Sequence, residues 1–204
     1  MRLLSLVLVL TACAVLVVGE LYVTIPLTAQ IADRFGVAPA TAALAGSAFG
    51  LAYAVGFLVL GPLADRYDRA RFLVAGLGAI AAATALVPFV QSFGLLLGVR
   101  VLQGLAAATF PPAALALVVE VLPPRWRATG VSMLSFAFLG SAPLVQIFAA
   151  RVGDLATVAT VIAVGYLVGA AGVLLLAGRC AAAAPPAPPA GGRLRAPVRD
   201  KGRG

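Results

Sequence analysis

The sequence predicts an all-α integral membrane protein built from six spanning helices. Apolar residues make up 62% of its 204 residues, and the mean hydropathy is +1.07. A soluble domain is about 45–50% apolar and has no way to hide such an excess. Uncharged runs of about 20 residues recur along the chain, the length a helix needs to cross a bilayer. The charged residues, only 11% of the total, gather in short clusters between those runs.

The first span is expected from about Leu3 to Ile31, with Pro26 as a kink and Glu20 near its middle. Met1-Arg2 and Leu10-Thr11-Ala12-Cys13 imitate a signal peptide and a lipoprotein box, but the apolar run continues through Val18. The segment therefore reads as an uncleaved helix. A loop carrying Asp33, Arg34, Gly36 and Pro39 follows, and Thr41 is expected to cap the second span, which ends at Leu63. Between Asp65 and Arg71 five of seven residues are charged, so this cluster must lie in water as a tight hairpin. The third span is expected from Phe72 to Val90, with Gln91-Ser92-Phe93-Gly94 as a turn. The fourth runs from Leu95 to Leu122, contains Arg100 and Gln103, and should kink at Phe110-Pro111-Pro112. After the charged loop Pro123-Pro124-Arg125-Trp126-Arg127, the fifth span covers Ala128 to Ala150, with Pro143 in its second half. Arg151-Val152-Gly153-Asp154 turns into the sixth, Leu155 to Ala177. Residues 1–178 thus form one six-helix bundle. Residues 179–204, rich in Ala, Pro, Gly and Arg without apolar periodicity, read as a disordered basic tail.

Six spans permit a test of sidedness, because Lys and Arg concentrate in short cytoplasmic loops. With the N-terminus inside, the cytoplasmic side holds Arg2, Arg66, Arg69, Arg71, Arg125, Arg127, Arg179, Arg193, Arg195, Arg199, Lys201 and Arg203. The outer side holds only Arg34 and Arg151. Both termini are expected in the cytoplasm and the bundle in the cytoplasmic membrane. The net charge of +8 then reflects topology, and no nucleic-acid partner is expected.

The chain has no His, and its two cysteines, Cys13 and Cys180, lie far apart. Histidine-based catalysis, a disulfide framework and a metal site are not indicated. No phosphate-binding loop of the Gly-rich Lys-Ser/Thr type occurs, so no nucleotide or other cofactor is expected and the chain does not read as an enzyme. Glu20, Arg100 and Glu120 are ionisable groups placed on helices, where a mid-membrane charge costs at least ~2.5–3.5 kcal/mol on insertion scales. Glu20 reads as a carboxylate that binds a proton or a cationic group, or as a packing group held by a neighbouring helix. Arg100 either snorkels to the outer face or, with Gln103 one turn on, forms a polar stripe facing the bundle. Glu120 lies near the inner end of the fourth span, within reach of Arg125, Arg127 or the first charged loop, and reads as a latch. Asp65 and Arg69 form a second pairing of that kind.

Gly61-Pro62-Leu63-Ala64-Asp65-Arg66-Tyr67-Asp68-Arg69-Ala70-Arg71 resembles the signature loop of the major facilitator superfamily, Gly-x-Leu-Ala-Asp-Arg-x-Gly-Arg-Arg/Lys. Arg100-Val101-Leu102-Gln103-Gly104 is similar to that family's fourth-helix motif. Glu20 with Pro26, Phe35-Gly36-Val37 and the run Glu120 to Arg127 look like its drug and sugar efflux branches. Two features depart from the pattern. Asp68 stands where the signature has a glycine, a position expected to need positive φ. Gly140-Ser141-Ala142-Pro143 lacks the fuller glycine array of proton-antiporting exporters.

The resemblance implies one six-helix half of a two-half secondary transporter, built as a 3+3 inverted repeat and carrying out proton-coupled efflux of small organic compounds. Glu20, Arg100 and Gln103 would serve substrate or proton coupling. Gly61, Asp65, Arg66, Arg69, Glu120 and Arg127 would form a conformational latch. The partners implied are the bilayer, a small-molecule substrate, and a second half or second copy. A transport-incompetent fragment and a membrane scaffold remain as other readings.

Overall fold

Runs of about 20 apolar residues become helices, because only a helix satisfies every backbone polar group within a single segment in lipid. The computed structural model describes residues 2–64 and 67–181, and no strand occurs among them. Nine α-helices are found among the described residues: α1 (Arg2–Gly19), α2 (Thr28–Phe35), α3 (Pro39–Ala42), α4 (Leu44–Ala64), α5 (Arg69–Ala85), α6 (Phe93–Ala107), α7 (Phe110–Val121), α8 (Pro124–Val152) and α9 (Leu155–Ala181). Five segments are long and apolar enough to cross a membrane: Pro39–Gly61, Arg69–Phe89, Phe93–Val121, Pro124–Val152 and Leu155–Leu176. The sixth, Leu3–Gly19, is shorter.

Several boundaries differ from the sequence expectation, each for a local reason. The first span does not continue through a kink to Ile31. It stops at Gly19, and residues 20–27 form successive tight turns before α2. Thr41 does not cap the second span, because Pro39 already opens α3, where its missing N–H costs nothing. The third span starts at Arg69 rather than Phe72, since the Asp68 side chain accepts the Arg71 backbone N–H at 2.8 Å as an N-cap. Asp68 has φ −57°, so the glycine of the signature is not replaced at any cost in backbone strain. Ser92 caps α6 in the same way, starting it at Phe93. Arg125, Trp126 and Arg127 belong to the first turn of α8, not to a loop. The fourth span breaks at residues 108–109, just ahead of Pro111 and Pro112. The last helix reaches Ala181, and the rest of the expected tail, residues 182–204, lies outside the described residues.

Packing follows the internal repeat. α4 lies along α6 as α1 lies along α8, α1 meets α9 as α6 and α7 meet α5, and α5 packs on α9. Exchanging the first three spans with the last three maps this contact pattern onto itself. The first and fourth spans run in opposite directions, so the repeat is inverted. Glycines permit the close approaches that association in lipid relies on. A Cβ at Gly104 would lie 2.4 Å from the Phe49 carbonyl of α4, and one at Gly19 would lie 2.3 Å from the Val145 side chain of α8. α4 and α8 are the least buried spans, exposing Leu51, Leu58, Phe136 and Leu139.

At the end opposite the Asp68 cap, α2 is tied to α9. Gln30 donates to Asp154 Oδ1 at 3.0 Å and accepts the Leu155 backbone N–H at 3.0 Å. Asp154 in turn caps α9, accepting from the Thr157 hydroxyl at 2.6 Å and its backbone N–H at 2.7 Å. The Thr157 bonds, with Gln30 adding another, hold the Asp154 carboxyl below the usual carboxylate range. A lowered folded-state pKa means the stabilisation is present above the unfolded carboxylate's pKa and fades as pH falls through the folded value. Asp154→Ala should therefore cost about 1 kcal/mol at neutral pH. Thermal unfolding in detergent should show that difference shrinking in acid; a gap that stays constant to the acid limit would contradict the cap.

Candidate functional site

The buried stripe of α6 is Leu96, Val99, Arg100, Gln103, Gly104 and Ala107. Helical spacing thus carries Arg100 and Gln103 into the interior with the apolar residues, and Arg100 does not snorkel outward: it is 2% exposed. Its partner is Glu20, also 2% exposed, placed where α1 ends. Arg100 Nη1 lies 3.1 Å from Glu20 Oε1, and Nη2 donates to the Glu20 main-chain carbonyl at 2.9 Å. One guanidinium therefore grips the residue by side chain and backbone together.

This grip explains the local break. In a continuing helix the Glu20 carbonyl would accept an N–H four residues on. Here it accepts from Arg100. The backbone N–H groups of Leu21 and Tyr22 turn to carbonyls three residues back, and Pro26 supplies no N–H. The sequence folds this way because a buried arginine offers five donors and the open turn offers it carbonyls.

The remaining polar atoms close into one network. Arg100 Nε donates to the Ala45 carbonyl of α4 at 3.2 Å, Nη1 also reaches Gln103 Oε1 at 3.1 Å, and the guanidinium sits 4.4 Å above the Phe49 ring. Gln103 Nε2 donates to Glu20 Oε1 at 3.1 Å and to Thr84 Oγ1 of α5 at 2.9 Å. The Tyr166 hydroxyl of α9 lies 2.9 Å from Glu20 Oε2 and 3.1 Å from the Leu16 carbonyl. Its single proton has two acceptors, of which the carboxylate is the stronger. Among the described residues no buried side-chain nitrogen or oxygen lacks a partner. A void of about 10 Å³ beside Glu20 and Arg100, walled by Val87, Leu96 and Ala159, is the size of one water. The pair is sealed: no organic solute fits against it in this conformation.

The structure also brings together two of the six expected latch residues. Arg69 and Glu120 form an ion pair at 3.0 Å, and Arg69 approaches the Ala116 carbonyl at 3.4 Å, joining the start of α5 to the end of α7. The Glu120 side chain is 60% exposed, so the pair is worth at most about 1 kcal/mol. Arg127 does not meet Glu120; its Nε donates to the Leu122 carbonyl at 3.1 Å, closing the end of α7. Gly61 lies in α4, and a Cβ added there would meet nothing. Asp65 and Arg66, and with them the Asp65–Arg69 pairing, lie outside the described residues.

Sequence reasoning brought out Glu20, Arg100 and Gln103 but missed Tyr166, Thr84, Phe49 and the Ala45 carbonyl. Tyr166 and Thr84 carried a weak signal, being hydroxyl groups within otherwise apolar runs. Phe49 and a main-chain carbonyl carry none, because only the crossing of α4 over α6 puts them against a guanidinium.

Comparison with known proteins places this geometry in context. The sequence profile described as Major Facilitator Superfamily matches residues 8–203. An uncharacterized MFS-type transporter of Mycobacterium tuberculosis is 34% identical over 127 residues, 62% of this chain and 21% of that protein. Another, from Bacillus subtilis, is 33% identical over 131 residues, 62% of this chain and 32% of the relative. The chain thus spans about a fifth to a third of the curated relatives it matches. The crystal structure of a bacterial homolog to the human lysosomal transporter Spinster, inward-facing and unoccupied, superimposes with a TM-score of 0.67. It covers 92% of this chain and 44% of its own at 21% identity, which shows a shared fold.

Removing one member of a buried pair strands the other and costs about 3–5 kcal/mol. Arg100→Leu should therefore destabilise the bundle by about that much in detergent unfolding. Glu20→Leu combined with Arg100→Leu should cost clearly less than the two single changes added together. Simple additivity would show that the pair is not coupled.

Proposed function

The chain belongs to the major facilitator superfamily, and from that premise we propose that it is the N-terminal six-helix half of a secondary transporter expelling small organic compounds in exchange for protons. The observation that carries the reading is the buried Glu20–Arg100 pair, with all its polar atoms satisfied. A protonatable carboxylate opposite a permanent cation gives one proton leverage over a whole charge. When Glu20 takes a proton, the Coulomb attraction to Arg100 is lost, and the stranded guanidinium, held then only by neutral acceptors such as the Glu20 and Ala45 carbonyls, is driven toward water or another anion. Those carbonyls belong to the first and second spans, so proton binding alters how the fourth span is joined to both. Gln103 and Tyr166 orient the carboxylate, and Arg69–Glu120 acts as a weak latch between helix ends.

A second six-helix half, or a second copy, completes the substrate cavity in this proposal. It is supported by the exposed apolar faces of α4 and α8 and by the match to 44% of a solved transporter chain. The proposed location is the cytoplasmic membrane with both termini inside, on the weight of basic residues flanking the second and third spans and the fourth and fifth.

Two experiments test this. Reconstituted into liposomes with its completing half under an imposed pH gradient, the chain should drive pH-dependent movement of a member of a substrate panel, and Glu20→Gln should abolish that dependence. Unchanged dependence in the variant would remove Glu20 from coupling, and absence of any solute movement would sink the transport reading. For orientation, single cysteines are placed at Arg71 and Arg151 after Cys13 and Cys180 are changed to Ser. In intact cells an impermeant maleimide should label position 151 and spare position 71; the reverse pattern would invert the topology.

A further inference from the structure

At the end of the bundle that carries Arg69 and Glu120, a groove of about 420 Å³ opens between α1 and α8. Its size falls within the range of ligand-binding clefts. Its floor is apolar, formed by Leu3, Val7, Leu122 and Met133, while Arg125 and Trp126 stand at the mouth. Arg125 makes no hydrogen bond or ion pair with another described residue. The first turn of α8 contains no acidic residue and its N-cap, Pro123, offers no side-chain acceptor. Helix starts ordinarily gather acids. This one instead pairs uncompensated positive charge with an adjoining apolar trough. Leu4 and Leu8, exposed at 59% and 51%, continue the trough along α1 toward the hydrocarbon.

We propose that this groove binds an acidic phospholipid, its phosphodiester meeting Arg125 and one acyl chain lying on Leu3, Val7 and Met133. Charge complementarity selects an anion, and continuity with the lipid-facing side of α1 selects an anion that carries a hydrocarbon chain. Trp126, exposed in the first turn of α8 beside Arg125, is the kind of side chain that anchors among headgroups. The site does not depend on the transport reading, since it uses none of the residues of the Glu20 network.

Native mass spectrometry of the full chain, released from mixed micelles holding equal phosphatidylglycerol and phosphatidylcholine of identical acyl chains, tests the site. Phosphatidylglycerol should be retained in preference. Arg125→Gln should lower its retention about fivefold, the effect of one surface arginine on an acidic lipid. Thr129→Trp, filling the groove from an exposed position, should abolish retention. Circular dichroism matching the parent establishes that each variant is folded, and either variant alone suffices. Equal retention of the two lipids, or selectivity that survives a substitution whose variant is folded, overturns the site. Displacement by glycerol phosphate as complete as by phosphatidylglycerol would also overturn it, because a headgroup alone would then suffice. A lipid-free dimer lost in both variants would put a second copy in the groove instead.

Discussion

The ion pair between Glu20 and Arg100 is the constraint around which the interior is arranged. Two charges withdrawn from water lose solvation that Coulomb attraction alone rarely restores, so such a pair persists only where further hydrogen bonds finish the work. Here four other groups finish it: the Glu20 carbonyl of the first span, the Ala45 carbonyl of the second, Gln103 of the fourth, itself held by Thr84 of the third, and the Tyr166 hydroxyl of the sixth. Each span is thereby fixed in rotation as well as in position. The pair also ends α1 early, because the carbonyl that would have continued the helix is committed to the guanidinium.

The second organising feature is backbone proximity. Lipid provides no hydrophobic drive between helices, so close packing must hold them, and small residues allow it. Gly104 rests against the α4 backbone at Phe49, one turn from Arg100, so the same close crossing that packs the bundle delivers the Ala45 carbonyl and the Phe49 ring to the arginine. Gly19 plays the corresponding part on α8, immediately before Glu20. The repeat therefore brings its closest contacts to the two helices that bear the charges.

Away from the interior, charge does simpler work. Asp68 and Asp154 cap α5 and α9, and Arg69 and Arg127 secure the two ends of neighbouring helices. The Asp68 cap shows how a departure from a familiar motif is absorbed: a side chain that accepts an N–H replaces a residue chosen for backbone freedom. Arg125 is different, a cation at a helix start with apolar surface beside it and no partner among the described residues.

By itself the sequence determined that the chain is a set of apolar, membrane-spanning helices and which residues are out of place in them. These depend on local composition: run length and the cost of charge in hydrocarbon are properties of contiguous stretches. Glu20, Arg100 and Gln103 were legible for that reason, as was the membrane-spanning helical class. The tertiary structure decided which groups meet. Arg69 rather than Arg127 takes Glu120, and Tyr166 and Thr84 join a site 146 and 64 residues from Glu20 along the chain. It also decided that the first helix ends at Gly19 instead of bending at Pro26. Propensity favours a continuous helix there; it gives way because a guanidinium from a distant span competes for the carbonyl, and no local pattern encodes that competitor.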